Sequence, residues 1–453
     1  MTRREAWLSA ALVFLAALAV RIWAAGVITF PRPEDTAYYV GVARRLVEGR
    51  GLVSDAIWSY GTPPLEFPRP AFEIWLPLPT FLATLPMALF GRTFAAAQWS
   101  SILVGGLVAV LTWRLAADVA AERGLPDGRA RTLALGMGLS AGVFLPLVLY
   151  SVLPDSTMPF GALVLATCLL ATRVVREPRG ARWADRRVLA LGVLLGLAAL
   201  TRNEAIWLAL AWVLVARGAA IGGGAGTAGW VRLVAGAAVP AMLVFAPWAV
   251  RNWIEFGAPL PGQALTNALS LDGRDIFAWR ETPTIQRYLD AGLGTLLGLR
   301  WTGFLHNVLN VLLFLGIPVS AIGLAGIPWT VRGTALAMLA WFSALTFVAT
   351  TLLFPVATTW GTFLHASAAI QVLLLLSALL ALDATIAAAG RGAAGPARSP
   401  GWVRSSRSRP GPSSPPCSSP RSGATARPPE TASPPFRRRW QRPASRSRSP
   451  AIR

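Results

Sequence analysis

The sequence contains no lysine, only two cysteines and few charged residues of any kind. Each shortage excludes something. Cys168 sits inside an apolar run and Cys417 stands far from it, so neither a disulfide framework nor a cysteine metal site is indicated. No Walker loop, zinc-ligand spacing or Gly-x-Ser-x-Gly elbow occurs. Gly222-Gly223-Gly224 is not followed by Lys-Ser/Thr and reads as a connector. A soluble nucleotide-binding domain is not indicated either. The missing lysine reads as GC-rich codon usage, with arginine supplying the basic charge.

What the chain does have is apolar surface. Its 453 residues are 54% hydrophobic and 14% charged, with a mean hydropathy of +0.52. That composition describes an all-α polytopic membrane protein. The formal charge of +21 suggests nucleic acid until it is divided along the chain. Residues 391–453 hold 14 Arg and one acid, Glu430, and carry +13; the rest hold 28 Arg against 20 acids and carry +8. A hydrophobic body with a basic tail is the better description, and no nucleic-acid partner is expected. The Arg/Ser/Pro-rich tail, 391–453, lacks apolar periodicity. It reads either as a disordered cytoplasmic segment near anionic lipid or as a frameshifted terminus. Residues 1–390 form the membrane domain.

A spanning helix needs about 20 apolar residues. Candidates are 6–29, 93–116, 132–150, 157–175, 188–201, 204–217, 232–250, 303–326, 334–353 and 362–388, about ten transmembrane helices. The first is too long for a signal peptide core and is expected to remain as an anchor. The pair 188–201 and 204–217 turns at Thr201-Arg202-Asn203-Glu204. The arginine-rich segments 114–131 and 173–187, with Arg217, Arg232 and Arg332, then fall inside with both termini. The charge-balanced loops 30–92 and 251–302 fall outside. Residues 74–90 are apolar but contain Pro77, Pro79 and Pro86, so an interfacial or re-entrant helix is expected there. The expected location is a bacterial plasma membrane.

Charged residues in such a chain are informative because they are costly in lipid. Glu34 and Asp35 open an amphipathic segment directly after the first span. They read either as N-terminal helix charges or as catalytic acids. Arg202 and Glu204 read either as a self-neutralising pair or as an anion site in a wet cavity. Arg251 ends a span beside Trp248 and either snorkels or binds phosphate. Asp155 and His365 begin spans, as a cap or as site residues. All of them land near one face under one topology.

These residues also lie in motifs that resemble the GT-C membrane glycosyltransferases of the family-39 type. That group includes protein O-mannosyltransferases and lipid A aminoarabinose transferases. The matching features are Glu34-Asp35 with Tyr38-Tyr39 and Gly49/Gly51, and the run from Arg69-Pro70-Ala71-Phe72 to Gly91. They continue through Leu200-Thr201-Arg202-Asn203-Glu204 to Pro247-Trp248 with Arg251-Asn252 and Phe256-Gly257. The resemblance covers roughly residues 1–390 in order and spacing. The family often has Pro-Pro and an aromatic where this chain has Pro70-Ala71-Phe72. The resemblance implies inverting transfer of a sugar from a polyprenyl-phosphate donor to a lipid, glycan or protein acceptor hydroxyl at the outer face. Asp35 would be the base, with Glu34 its rival. Arg202, Arg251 and Arg69 would hold the donor phosphate, supported by Glu204, Asp155, Tyr39, Asn252 and His365. No cofactor is required; a divalent cation is allowed but not indicated, and no metal ligand is assigned. The alternative is a transporter or flippase for a lipid-linked glycan, but no repeated halves are visible and the charges gather on one side.

This topology makes a direct prediction. A cysteine introduced at position 60 is labelled by an impermeant reagent from outside; labelling only from inside would invert the arrangement.

Overall fold

The computed structural model describes residues 2–32, 34–56, 66–176, 185–261, 264–277 and 283–393; the tail assigned to 391–453 lies almost wholly outside them. Helix α1 (Arg3–Val27) opens with a capping box between Thr2 and Glu5. It leads to α2 (Glu34–Val47), to the two-residue antiparallel pair β1 (Val53–Ser54) and β2 (Arg69–Pro70), and to α3 (Leu78–Phe90). Helices α4 (Phe94–Glu122), α5 (Asp127–Val143), α6 (Leu145–Ser151) and α7 (Thr157–Arg176) follow. Next come α8 (Arg186–Ala199), α9 (Ala205–Gly222) and α10 (Gly226–Phe256). The short α11 (Ala264–Leu269) and α12 (Ile285–Asp290) precede α13 (Gly292–Phe314), α14 (Ile317–Thr330) and α15 (Ala337–Leu352). Two five-residue helices, α16 (Pro355–Thr359) and α17 (Thr362–Ala366), lead into α18 (Ala368–Ala393).

The fold is all-α and polytopic, as expected. Among the described residues, α1, α4, α7, α9, α10 and α18 are long and apolar enough to cross a membrane alone, and two bent pairs raise the count from six to eight. The remaining two of the ten expected spans are α8 and α15, which are shorter at 14 and 16 residues.

Polar contacts sort the helix ends into two sets. At one end Arg131 pairs with Glu5 at 2.9 Å and Arg129 with Asp383 at 2.7 Å. There Glu122 accepts the Thr334 and Ala335 backbone N–H groups and pairs with Arg176. At the other end Gln98 donates to the carbonyls of Ile28 and Val152, and Leu78 N–H donates to Leu200 O. The segments expected inside thus gather at one end, and those expected outside at the other. Helix α3 has both its ends at the second, since Phe90 lies just before α4. It does not cross; at 13 residues it is roughly 20 Å long.

Two expected spans are not straight. The stretch 132–150 bends by 56° between α5 and α6, where Pro146 sits in the first turn of α6. The stretch 303–326 is corrected more strongly. Its first half belongs to α13, which begins eleven residues earlier, in the expected outer loop. The chain then turns by 104° into α14, with Gly316 at φ 79° and Pro318 at the start of the new helix. Helix α13 packs on the site end of the bundle: Gly303 lies against Pro355, Asn307 donates to Thr350 and Thr351, and Phe314 stacks on Phe363. Only α14 descends into the bundle, beside α18 at Leu374 and Ser377.

Small residues allow the close approaches. Gly192 and Gly196, four apart on α8, face α10; a Cβ at Gly192 would lie 2.2 Å from Ala237 O. Gly192→Val therefore forces α8 off α10 and costs about 1–3 kcal/mol in thermal unfolding. Gly218→Ala on α9, which meets nothing within 4 Å, leaves the melting point equal or higher.

Candidate active site

Helix α2 carries the first group. Its Tyr39, Val42 and Ala43 are buried, while Arg44 and Arg45 pair with Glu48 on the outer face. Gly49 and Gly51, at φ 77° and 81°, follow the end of the helix at Val47. The chain that follows clamps it: Phe72 N–H in the loop donates to the Tyr38 hydroxyl at 2.7 Å, and Thr80 in α3 donates to Tyr39 O. Glu34 opens the helix, but its side chain lies outside the described residues.

Asp35, in the first turn, is 23% exposed, and its Oδ2 lies 4.0 Å from His365 Nε2. The other imidazole nitrogen, Nδ1, is 3.1 Å from Thr157 Oγ1. Thr157 N–H in turn donates to Asp155 Oδ1 at 2.7 Å. Asp155 is 1% exposed, and its Oδ2 meets no partner. The expected capping role of Asp155 is real, yet it occupies one oxygen only. Arg202 makes a bidentate bond to Glu204 at 3.0 and 2.8 Å and donates through Nη1 to Ser156 Oγ at 2.8 Å. Both members of this pair are largely buried, 13% and 8% exposed. Tyr39, buried on α2, stands in the field of Asp35, Asp155 and Arg202. The structure therefore brings Asp35, Tyr39, Asp155, Arg202, Glu204 and His365 together.

Burial sets the charge states. It pushes the Asp155 carboxyl up to about 7, with Asp35 adding repulsion while Thr157 and Arg202 oppose. It pushes His365 down to about 3, helped by the Arg202 charge, so the imidazole is neutral and its approach to Asp35 is not an ion pair. For Arg202 burial works against the cation, but Glu204 outweighs it and the group stays charged. Burial also holds the Tyr39 hydroxyl well above its usual value, so it remains a neutral donor.

Arg251 and Arg69 join a second group, one residue along α2, around Tyr38. The Arg251 guanidinium lies 5.0 Å from the Trp248 ring and 4.9 Å from the Phe256 ring, and donates to Asn252 Oδ1 at 3.2 Å. Asn252 is itself fixed by a bond to Pro259 O. Arg69 pairs with Glu73, and both arginines lie in the field of Tyr38. The Phe72 and Trp248 rings, 5.6 Å apart, join the two sides. The cavity beside Tyr38, Ser54, Arg69 and Trp75 holds about 20 Å³, room for a water and not for a sugar. Ser156 and Thr157 were missed from the sequence; the available signal was a polar triple, Asp155-Ser156-Thr157, directly after Pro154 at a span boundary. Among the described residues no group of three or more His, Cys, Asp or Glu is placed to hold a metal ion.

No family model matches the sequence, and no curated protein matches it either. Solved structures do match. The apo oligosaccharyltransferase of Archaeoglobus fulgidus is similar at a TM-score of 0.52 with 14% identity, over 87% of this chain and 52% of that one. ArnT from Cupriavidus metallidurans, bound to undecaprenyl phosphate, is similar at a TM-score of 0.50 with 16% identity, over 84% of this chain and 64% of that one. This chain thus spans between half and two thirds of the length of those proteins. The likeness establishes the fold: the chain has the GT-C fold that those two proteins share.

The Arg202–Glu204 pair gives a stability prediction. Glu204→Gln leaves a buried guanidinium half-matched and costs about 3–5 kcal/mol. Removing both charges, Arg202→Gln with Glu204→Gln, recovers part of that in thermal unfolding. Equal melting points for the single variant and the parent would show the pair to be inert.

Proposed function

We propose that this protein transfers a sugar from a polyprenyl-phosphate donor to an acceptor hydroxyl at the outer membrane face. The observation that carries this is the partly exposed Asp35 carboxylate beside neutral His365, backed by buried Asp155 and the charged Arg202–Glu204 pair. Such a group is costly in an apolar body and is the kind of site that chemistry requires. The GT-C fold supports the reaction class. The undecaprenyl phosphate bound to the similar ArnT supports the donor class.

In the proposed reaction the acceptor O–H donates to an Asp35 oxygen. Its proton passes to the carboxylate as the oxygen forms a bond to the anomeric carbon. The bond from that carbon to the phosphate oxygen breaks, and its electron pair leaves with polyprenyl phosphate. Attack opposite the phosphate inverts the anomeric centre. Arg251, with one hydrogen bond to Asn252 and two aromatic rings beneath it, keeps most of its donors for a phosphate. Arg202 keeps the donors that Glu204 and Ser156 do not use. Arg69, paired with Glu73, contributes charge at longer range.

Purified protein in lipid nanodiscs with a polyprenyl-phosphate-linked sugar tests the assignment. Asp35→Asn lowers kcat by about 10²- to 10⁴-fold with little change in donor KM. Arg251→Gln mainly raises donor KM, by roughly tenfold or more for a lost charge-assisted bond. Full activity in Asp35→Asn removes Asp35 as the base and leaves Glu34 to be tried.

A further inference from the structure

We propose that α2 and α3 together form a binding site for an anionic phospholipid. The lipid phosphate sits among Arg44, Arg50 and Arg92, and the hydrocarbon chains lie against the apolar face of α3. The site stands apart from Asp35 and does not rest on the reading of that residue as the base.

The charge is the first observation. Four arginines gather on one carboxylate. Arg44 Nε donates to Glu48 Oε1 at 3.2 Å, and Arg45 Nη1 donates to Oε2 at 3.1 Å. Arg45 also pairs with Asp55. Arg92 Nη1 and Arg50 Nε approach the same two Glu48 oxygens only to 3.8 and 3.7 Å, too far for hydrogen bonds. Glu48 is 13% exposed at the centre, whereas Arg44, Arg50 and Arg92 are 63%, 61% and 57% exposed around it. Four cations against the two acids Glu48 and Asp55 leave the cluster net positive. Residues 57–65, outside the described residues, contain no acid to offset it.

The depth of the cluster is the second observation. Val40 and Ala43 of α2 pack with Ala83 and Met87 of α3 and with Ala96 and Ala97 of α4. The other side of α3 turns Phe81, Leu85 and Leu89 outward, four residues apart, together with Phe90. Helix α3 does not cross, so this stripe lies along the hydrocarbon boundary. Arg92 stands two residues after Phe90 and two before the α4 span, which places it at the level of the headgroups. Polar charge and apolar stripe therefore meet at one end of α3. A phosphodiester has two anionic oxygens for the donors that Arg50 and Arg92 do not spend on Glu48. A zwitterionic headgroup brings a cation that the cluster repels. A small soluble anion uses the arginines but leaves the stripe uncovered. An anionic phospholipid matches both parts.

Native mass spectrometry of the full-length protein in detergent reads the preference directly. The protein is titrated with phosphatidylglycerol or with phosphatidylcholine of the same chains. The parent is expected to hold phosphatidylglycerol roughly tenfold or more tightly, less so at high salt. Arg50→Gln with Arg92→Gln replaces two exposed side chains and should leave the melting point unchanged while lowering the preference about fivefold per arginine. Lysine at both positions should restore most of it. Arg274→Gln, at an arginine of another loop that is 93% exposed, should have no effect. Equal binding of the two lipids by the parent overturns the proposal, as does a preference that survives the double glutamine variant. Displacement of bound phosphatidylglycerol by an equal concentration of glycerol phosphate shows a site for free anions and overturns it too. A preference lost in Arg251→Gln but kept in the double glutamine variant places the lipid in the candidate active site instead and has the same consequence.

Discussion

A cation buried in an apolar helical body must be matched where it stands, and the bidentate bond between Arg202 and Glu204 does this at the centre of the site. Most of the neighbouring geometry follows from it. The pair fixes the turn between α8 and α9, whose Leu200 carbonyl receives Leu78 at the start of α3. Its remaining reach goes to Ser156, which sets the stretch that presents Asp155 and Thr157. Asp155 in turn feels the Arg202 charge, and His365 is kept neutral partly by it. One matched charge therefore organises four stretches of chain that are distant in sequence.

A second buried cation is met by neutral acceptors only. Arg21, in the middle of α1, is fully buried and bonds Ser151 Oγ and the carbonyls of Ala17 and Gly142. Gly142 and Ser151 flank the bend between α5 and α6, where helical hydrogen bonding is interrupted, so the bend supplies two of the acceptors; Nη2 of Arg21 stays buried without a partner. At the far end of the bundle, Arg129 and Arg131 tie α5 to α18 and α1, and Glu122 ties the end of α4 to the segment before α15.

Much of this was legible in the sequence because apolar runs and charge are decisive in membranes. Most of the span positions, the division of helix ends and the turn at Thr201-Arg202-Asn203-Glu204 follow from hydropathy and arginine placement; 303–326 does not. The prolines of 74–90 signalled a helix that does not cross. The corner at Gly316 was not legible, because α13 and α14 are both apolar and hydropathy has no sense of direction. Only the pairing of Gly316 with Pro318 in the sequence hinted at it. The meeting of Asp35 with His365 spans 330 positions and rests on packing that periodicity does not encode. The residues between them, Ser156 and Thr157, looked like ordinary span-edge polar residues. Arg69 and Arg251, expected as phosphate ligands, stand around Tyr38, beside the Asp35 group and not within it.

Adjacent tyrosines on α2 give the arrangement its economy: Tyr39 faces the acid and imidazole, Tyr38 faces the two rim arginines. A proton acceptor and a phosphate cradle would then be held by one helical turn, with the sugar between. The most direct measurement follows both fragments of the donor. The purified protein is given a polyprenyl-phosphate sugar labelled in the sugar and in the lipid, together with an acceptor, in sealed liposomes. The account predicts that polyprenyl phosphate is released in equal amount with glycosylated acceptor. Movement of the intact donor to the opposite leaflet, with its sugar–phosphate bond unbroken, would contradict it.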